Sequence, residues 1–285
     1  MAASELRIEP LGGSLGAAVG GVDLKRDPGE ATVALLRRLV LERLVLFFPD
    51  QFLSPDEQRA FMRRFGEVEA HPERPQVLPG SDEEVVVISP SNGVSAVWHC
   101  DYDPDFVPCG LCTLNMVECA ADGGGDTIFV SSYRIYEQLS PPLRQLVDGL
   151  TAVHRNLGNR GRRRDEAEFP LVGIHPETGR TGLLYSAHHV QDFVELEPAE
   201  SELLLAHLKA LTVRPGFAIR HHWRPGTLAF WDNRCVQHYA VPDFSGPRLL
   251  YQVSVRAPLP RPLPGWRPRP EAERARRAPD VAPRY

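Results

Sequence analysis

The sequence predicts a β-dominated α/β fold built on one large core, and three observations carry that prediction. Runs of strand length, continuous or alternating in apolar residues, recur at 85–88, 110–117, 127–130, 150–154, 217–223, 227–231 and 248–255. Helical periodicity or helix-start chemistry marks only four segments. The chain has 285 residues, 42% of them hydrophobic, long enough for a single domain with a sizeable core.

The elements follow in order. Residues 29–43 place Val33, Leu36, Leu39 and Val40 at helical spacing and run into the continuous apolar stretch 44–48, a buried strand. Ser54-Pro55-Asp56-Glu57 combines an N-cap serine, proline at the first helical position and glutamate three residues after the cap, so a helix starts there. Its end is expected at Phe65-Gly66, with glycine as the C-terminal cap. Ser140 before two prolines opens a short helix to about residue 148, and a fourth helix covers roughly 198–211. Residues 258–285 differ in kind: eight prolines and seven arginines in 28 residues leave too little aliphatic content to offset the entropy of folding. They read as an extended tail, with the main domain ending near residue 257.

Composition narrows the function classes. A net charge of −5 and a pI near 6.1 give no reason to expect nucleic acid or an anionic membrane as partner. No apolar stretch approaches the ~18 residues of a membrane span, and no basic-then-apolar leader opens the chain. The expectation is a cytoplasmic protein acting on a small molecule. The five cysteines (Cys100, Cys109, Cys112, Cys119, Cys235) are odd in number. Cys109-x-x-Cys112 has no second pair at zinc-finger spacing, so these thiols read as small hydrophobes.

The chemistry is concentrated in Trp98-His99-Cys100-Asp101 and, far downstream, Trp231-Asp232-Asn233-Arg234 with His238. A histidine and a carboxylate two apart on a strand point to one side. A second histidine from a distant strand would close a three-ligand face, the set used by non-haem Fe(II) oxygenases. His-x-Asp alone is a weak signal, because His99 could equally be a satisfied core histidine and Asp101 a turn residue. The three ligands also suit a zinc hydrolase; a non-catalytic binding module is the other alternative, and it should have lost one of them, whereas all three are intact.

The company these residues keep is specific. Leu15-Gly16-Ala17-Ala18-Val19, Gly21-Val22-Asp23-Leu24, Val45-Leu46-Phe47-Phe48-Pro49-Asp50-Gln51, Phe65-Gly66-Glu67, His71-Pro72, Gly124-Gly125-Asp126-Thr127 and His175-Pro176-Glu177-Thr178-Gly179-Arg180 accompany the two histidine motifs in order. With them the chain, from about Leu6 to Arg256, resembles the taurine dioxygenase and phenoxyacetate-herbicide dioxygenase family of Fe(II)/2-oxoglutarate enzymes. The resemblance implies a double-stranded β-helix (jelly-roll) core with outer helices. It also implies Fe(II) as metal, 2-oxoglutarate and O2 as co-substrates, and release of succinate and CO2 as the substrate is oxidised, usually hydroxylated.

Residue by residue, the resemblance places the metal on His99, Asp101 and His238. Asp101 argues against a related halogenase, which lacks that carboxylate. The far carboxylate of 2-oxoglutarate needs a forked cation; Arg248 matches, assisted by the Thr127 hydroxyl. Arg248 comes one residue early, which a deletion in the loop 243–247 explains. Arg256, the competitor, is on the same strand face but ~26 Å away.

The substrate is less legible. His71 matches the position that contacts a sulfonate in taurine-type members. The second arginine expected four residues after Arg248 is Gln252, a neutral amide that makes taurine or a phenoxyacetate a poor fit. Asp103, in the acidic run Tyr102-Asp103-Pro104-Asp105-Phe106, could meet a cationic group, favouring an amino-acid-like or natural-product substrate; a solvated turn is the other reading. Sulfonate or sulfate-ester cleavage stays as the alternative. The glycine- and arginine-rich run 156–164 lies where the family carries a lid; its arginines could also attract a carrier-protein-bound substrate. The family often forms dimers or larger assemblies, so a homo-oligomer stays open.

Overall fold

Alternation along two neighbouring strands shows how the core is divided. In Val45–Phe48, Val45 and Phe47 point to one face while Leu46 and Phe48 point to the other; in Leu228–Asp232, Ala229 and Trp231 oppose Leu228 and Phe230 in the same way. Both strands are therefore apolar throughout, because both faces of their sheet are covered. The structure, a computed structural model, describes residues 6–72, 74–103, 106–157 and 166–268.

The sheet has seven strands in the order Arg7–Pro10, Ala17–Gly20, Val45–Phe48, Leu228–Asp232, Leu111–Glu118, Leu249–Val255 and Val86–Ile88. Its outer face is sealed by α1 (Glu30–Arg43) and α2 (Pro55–Arg63), through Leu36, Val40, Phe61 and Met62 packed on Phe48, Phe230 and Val253. Its inner face meets a second layer, Ala218–His221, Thr127–Ser131 and Val236–Ala240, paired antiparallel about the middle strand. Phe129 of that layer packs edge-on against Phe47 at 5.7 Å and Trp231 at 5.6 Å. Burying such a ring contributes about 1.5–3 kcal/mol. Two sheets facing each other across this core form the jelly-roll. Behind the second layer, Val190–Phe193, Thr151–Arg155 and Glu166–Pro170 form a further three-stranded sheet. It packs with α3 (Ser132–Gln138), α4 (Pro141–Val147) and α5 (Pro198–Thr212) around Leu150, Phe193 and Leu208. No helix among the described residues is long and apolar enough to cross a membrane.

The Ser54 cap forms as expected: its hydroxyl accepts from the Glu57 amide while Glu57 accepts from the Ser54 amide. Gly66 plays another part. It is not a left-handed cap; a Cβ there would come within 2.9 Å of the Arg256 carbonyl oxygen, so glycine lets the chain cross the last strand closely. The segment around His99 is extended but not a regular strand, joined to its neighbour by a single bridge, His99 to His238. The tail expected from residue 258 is anchored at its start. Arg261–Pro262 pairs with the strand Val172–Ile174, Trp266 Nε1 donates to Thr151 Oγ1 at 3.0 Å, and Arg234 donates to the Pro258 carbonyl. Residues 269–285 lie outside the described residues.

One buried group makes stability pH-dependent. His154, on Thr151–Arg155, is enclosed by Tyr102 and Phe169, and burial pushes its pKa down to about 4. Its ring is neutral in the native state and charges only in the unfolded chain between its ordinary value and that point. Stability is therefore lost as pH falls from about 6.5 to about 4, with His154 accounting for roughly 3 kcal/mol. Chemical denaturation at pH 7 and pH 4.5 should show a smaller loss for His154→Phe than for the wild type; equal losses would refute the assignment.

Candidate active site

His99 and Asp101 leave the extended segment on one side, while Cys100 between them turns its thiol to the other, 3.5 Å from the Val236 carbonyl. His238 enters from Val236–Ala240, whose backbone bonds His99 in both directions, amide to carbonyl at 3.0 and 2.8 Å. One donor atom from each of His99, Asp101 and His238 lies within 4.8 Å of the others. His238 Nε2 is 3.7 Å and His99 Nε2 4.0 Å from the Asp101 carboxylate. Burial pushes the Asp101 carboxyl up, but the facing His238 and His99 rings and Arg74 pull it below its ordinary value, so it stays ionised.

The support around these groups explains the downstream motif. Asn233 clamps the backbone of Asp101: its Oδ1 accepts from the Asp101 amide at 2.9 Å, and its Nδ2 donates to the Asp101 carbonyl at 2.9 Å. Asp232 holds the turn from beneath, accepting from Arg234 at 2.8 Å and lying 3.0 Å from His175 Nε2. Arg234 also reaches Glu177 at 2.9 Å. The His175 and Glu177 of the second sequence motif therefore serve the turn that serves Asp101. His99 Nδ1 lies 2.8 Å from the Val97 carbonyl, which places the proton there and leaves Nε2 as a lone pair facing the cluster. Two imidazoles and an ionised carboxylate converging in this way fit a divalent, Fe(II)-type ion.

The cluster opens into a cavity of about 270 Å3 between the two sheets, which Arg248, Thr127, Arg74 and Gln252 also line. Arg248 is buried and has no ion pair among the described residues; one terminal nitrogen donates to the Gly125 carbonyl at 2.8 Å and its Nε has no partner. Burial pushes its pKa down, the mark of a cation short of an anion. The glycine run makes room for it. A Cβ on Gly125 would lie 2.7 Å from Arg248 Nε, and one on Gly124 would strike the Asp243 carbonyl at 2.1 Å. Thr127 Oγ1 accepts from Trp223 Nε1 at 2.9 Å, so its own proton is left to donate into the cavity. These features fit the far carboxylate of 2-oxoglutarate. Arg256, the competing arginine, is exposed at the far end of the strand.

Of the three expected substrate residues, the structure places Gln252 at the cavity and His71 and Asp103 away from it. His71 is buried against Ser254, 3.3 Å away, which in turn donates to Glu69; it does not line the cavity. Asp103 spends its carboxylate in a turn, accepting from the Val107 amide at 2.8 Å, and does not line the cavity either. Gln252 does line it, but its amide donates to Asp101 Oδ2 at 2.8 Å. Both negative results have a local cause: each side chain finds a nearer partner than a ligand. Arg74, three residues past His71 and not singled out by the sequence, reaches the cavity with one terminal nitrogen donating to the Tyr102 carbonyl at 3.1 Å. Of the run expected as a lid, Asn156 and Leu157 line the cavity, and residues 158–165 lie outside the described residues. All five cysteines are free, four of them buried, as packing residues would be.

Comparison with known proteins agrees with this geometry. An alpha-ketoglutarate-dependent sulfate ester dioxygenase of Pseudomonas putida is 31% identical, with 90% of this chain and 92% of that protein covered. An (S)-phenoxypropionate/alpha-ketoglutarate-dioxygenase of Sphingobium herbicidovorans is 33% identical, with 87% and 94% covered. The crystal structure of a taurine dioxygenase from Burkholderia xenovorans superposes with a TM-score of 0.80 at 35% identity, covering 90% of each chain. A family model described as taurine catabolism dioxygenase TauD, TfdA family matches residues 7–254, so the chain belongs to that family of 2-oxoglutarate-dependent dioxygenases.

Proposed function

We propose that this dioxygenase holds Fe(II) on His99, Asp101 and His238, binds 2-oxoglutarate through Arg248 and Thr127, and oxidises a small organic anion recognised by Arg74. The observation that carries the reading is the single cavity in which the three donor atoms, the unpaired Arg248 and Arg74 all meet. Bound there, Fe(II) supplies the oxygen-activating redox chemistry that couples decarboxylation of 2-oxoglutarate to succinate and CO2 with substrate oxidation. The chain's own residues do the rest. Arg248, buried beside Phe244, offers a fork to one carboxylate and Thr127 adds a hydroxyl donor. Arg248 and Thr127 would hold 2-oxoglutarate by its far carboxylate, with the His99, Asp101 and His238 cluster lining the same cavity. Leu114, Val86 and Leu250 add apolar walls to it.

Arg74 supports one substrate class over the other. Asp103, the basis for a cationic substrate, is committed to its turn, whereas Arg74 puts a second cation over the site. Relatives named for sulfate esters and for a phenoxypropionate both take substrates with an anionic group. This favours a sulfate ester, sulfonate or carboxylate over an amino-acid amine. The test is succinate formation on loading Fe(II) and 2-oxoglutarate anaerobically and admitting O2, with a panel of alkyl sulfates, sulfonates and aryloxy acids set against amines and guanidines. Turnover is expected with an anion, and Arg74→Met should raise its KM about 10–100-fold, the worth of one charged hydrogen bond, while the KM for 2-oxoglutarate is unchanged. Stimulation by cationic compounds alone, or an Arg74→Met effect confined to 2-oxoglutarate, would sink the anion reading.

A further inference from the structure

We infer that Gln252 is a positioning residue for the metal site, fixing the Asp101 carboxylate so that one oxygen alone is presented to the ion. The inference rests on the ligand set proposed above.

The argument begins with register. On Leu249–Val255, Gln252 pairs with Leu114 on one side and Val86 on the other, which brings its side chain over the cluster on the same face as Arg248. Gln252 and Asp101 are both buried, and Gln252 Nε2 donates to Asp101 Oδ2 at 2.8 Å across 151 residues of sequence. Asp101 Oδ1, 4.0 Å from His99 Nε2, is the oxygen with no hydrogen-bond partner among the described residues. An amide donor suits this place. It satisfies one oxygen of a buried carboxylate without adding the full charge that would compete with a cation for the other.

The Asp101 backbone is already gripped on both sides by Asn233. What Asn233 cannot fix is rotation of the carboxylate about its own bond, and Gln252 is the side chain that does. A ligand held in one orientation binds without first losing that freedom; outer partners of this kind are worth about 10–100-fold in metal affinity. The same hydrogen bond uses one of the two amide protons of Gln252 and turns the amide toward Asp101. A residue four places beyond Arg248 would on position alone be a substrate contact. The structure assigns it to the metal ligand instead.

The decisive measurement is Mn(II) affinity of the full chain without turnover, by paramagnetic titration, together with the substrate KM at saturating metal. Gln252→Leu and Gln252→Met, both neutral, remove the donor and should weaken Mn(II) binding about 10–100-fold while their thermal melts match the wild type. Wild-type Mn(II) affinity in both Leu and Met variants, or a change confined to substrate KM, would overturn the inference. His99→Ala separates the two levels. If it loses Mn(II) binding while Gln252→Leu does not, only the role of Gln252 fails; if it binds Mn(II) like the wild type, the ligand assignment fails and takes this inference with it.

Discussion

Asp101→Ala is expected to lower substrate-dependent succinate formation by at least ~10³-fold, more than the 10–100-fold that loss of an outer partner costs. The proposed ligand set then keeps two neutral imidazoles and no anion, so the ion loses both a donor atom and the charge that offsets its own. The fold should survive. Asn233 holds residue 101 through the backbone amide and carbonyl, which alanine retains, and the bridge between His99 and His238 is also backbone. The comparison is therefore clean: thermal melting close to the wild type, Mn(II) binding lost and succinate formation at background. Retention of coupled turnover in a folded Asp101→Ala protein would remove the carboxylate from the proposed ligand set.

Asp232→Asn should produce the largest loss of stability of any single conservative change near the site. Burial alone would raise the Asp232 carboxyl, but Arg234 and His175 hold it far below the usual carboxylate range, and Asp232 in turn keeps the buried Arg234 charged. Both side chains are almost fully buried, and only Glu177, partly exposed, shares the load. Neutralising one partner leaves a desolvated guanidinium with half its compensation, a situation that costs about 3–5 kcal/mol. For a domain of this size that is a fall on the order of 10 °C in Tm. Because Asn233 is the next residue, the loosened turn should also weaken the grip on Asp101, so activity falls along with stability. Differential scanning calorimetry and the succinate assay on one preparation check both; a Tm within about 2 °C of the wild type would show that the pair is compensated elsewhere.

Much of the fold was legible because local chemistry governs it. Ser54, Pro55 and Glu57 are sufficient to start α2 wherever that helix packs. The apolar runs at 45–48 and 228–231 are strands because both faces of their sheet are covered. The strand Val236–Ala240, which carries His238, was harder to see: Gln237 and His238 break its apolar pattern, and both are buried, Gln237 accepting from the Ala187 amide and His238 facing Asp101. Helix α3 has a serine N-cap, Ser131, but lacks the proline that follows the cap serines of α2 and α4, and packing around Ile135 holds it as well as its cap. Gly66 shows the same division, because glycine predicts a tight place without saying whether a turn or a crossing strand makes it tight.

The site divides along the same line. His99 and Asp101 are paired by the two-residue repeat of extended backbone, and the glycines before Thr127 by the space an adjacent arginine requires, so the sequence by itself determined the reaction class and singled out the His99, Asp101, His238 cluster and Arg248 on which the proposed function rests. Which side chain reaches the cavity depended on hydrogen-bond partners, most of them brought together from far along the chain. His71 met Ser254, Asp103 met its own turn and Gln252 met Asp101, while Arg74 was left reaching into the cavity. Each of these outcomes is a competition between a ligand and a neighbouring hydrogen-bond partner. For His71 and Gln252 the tertiary structure alone, which lays distant strands side by side, decides which partner is within hydrogen-bond reach.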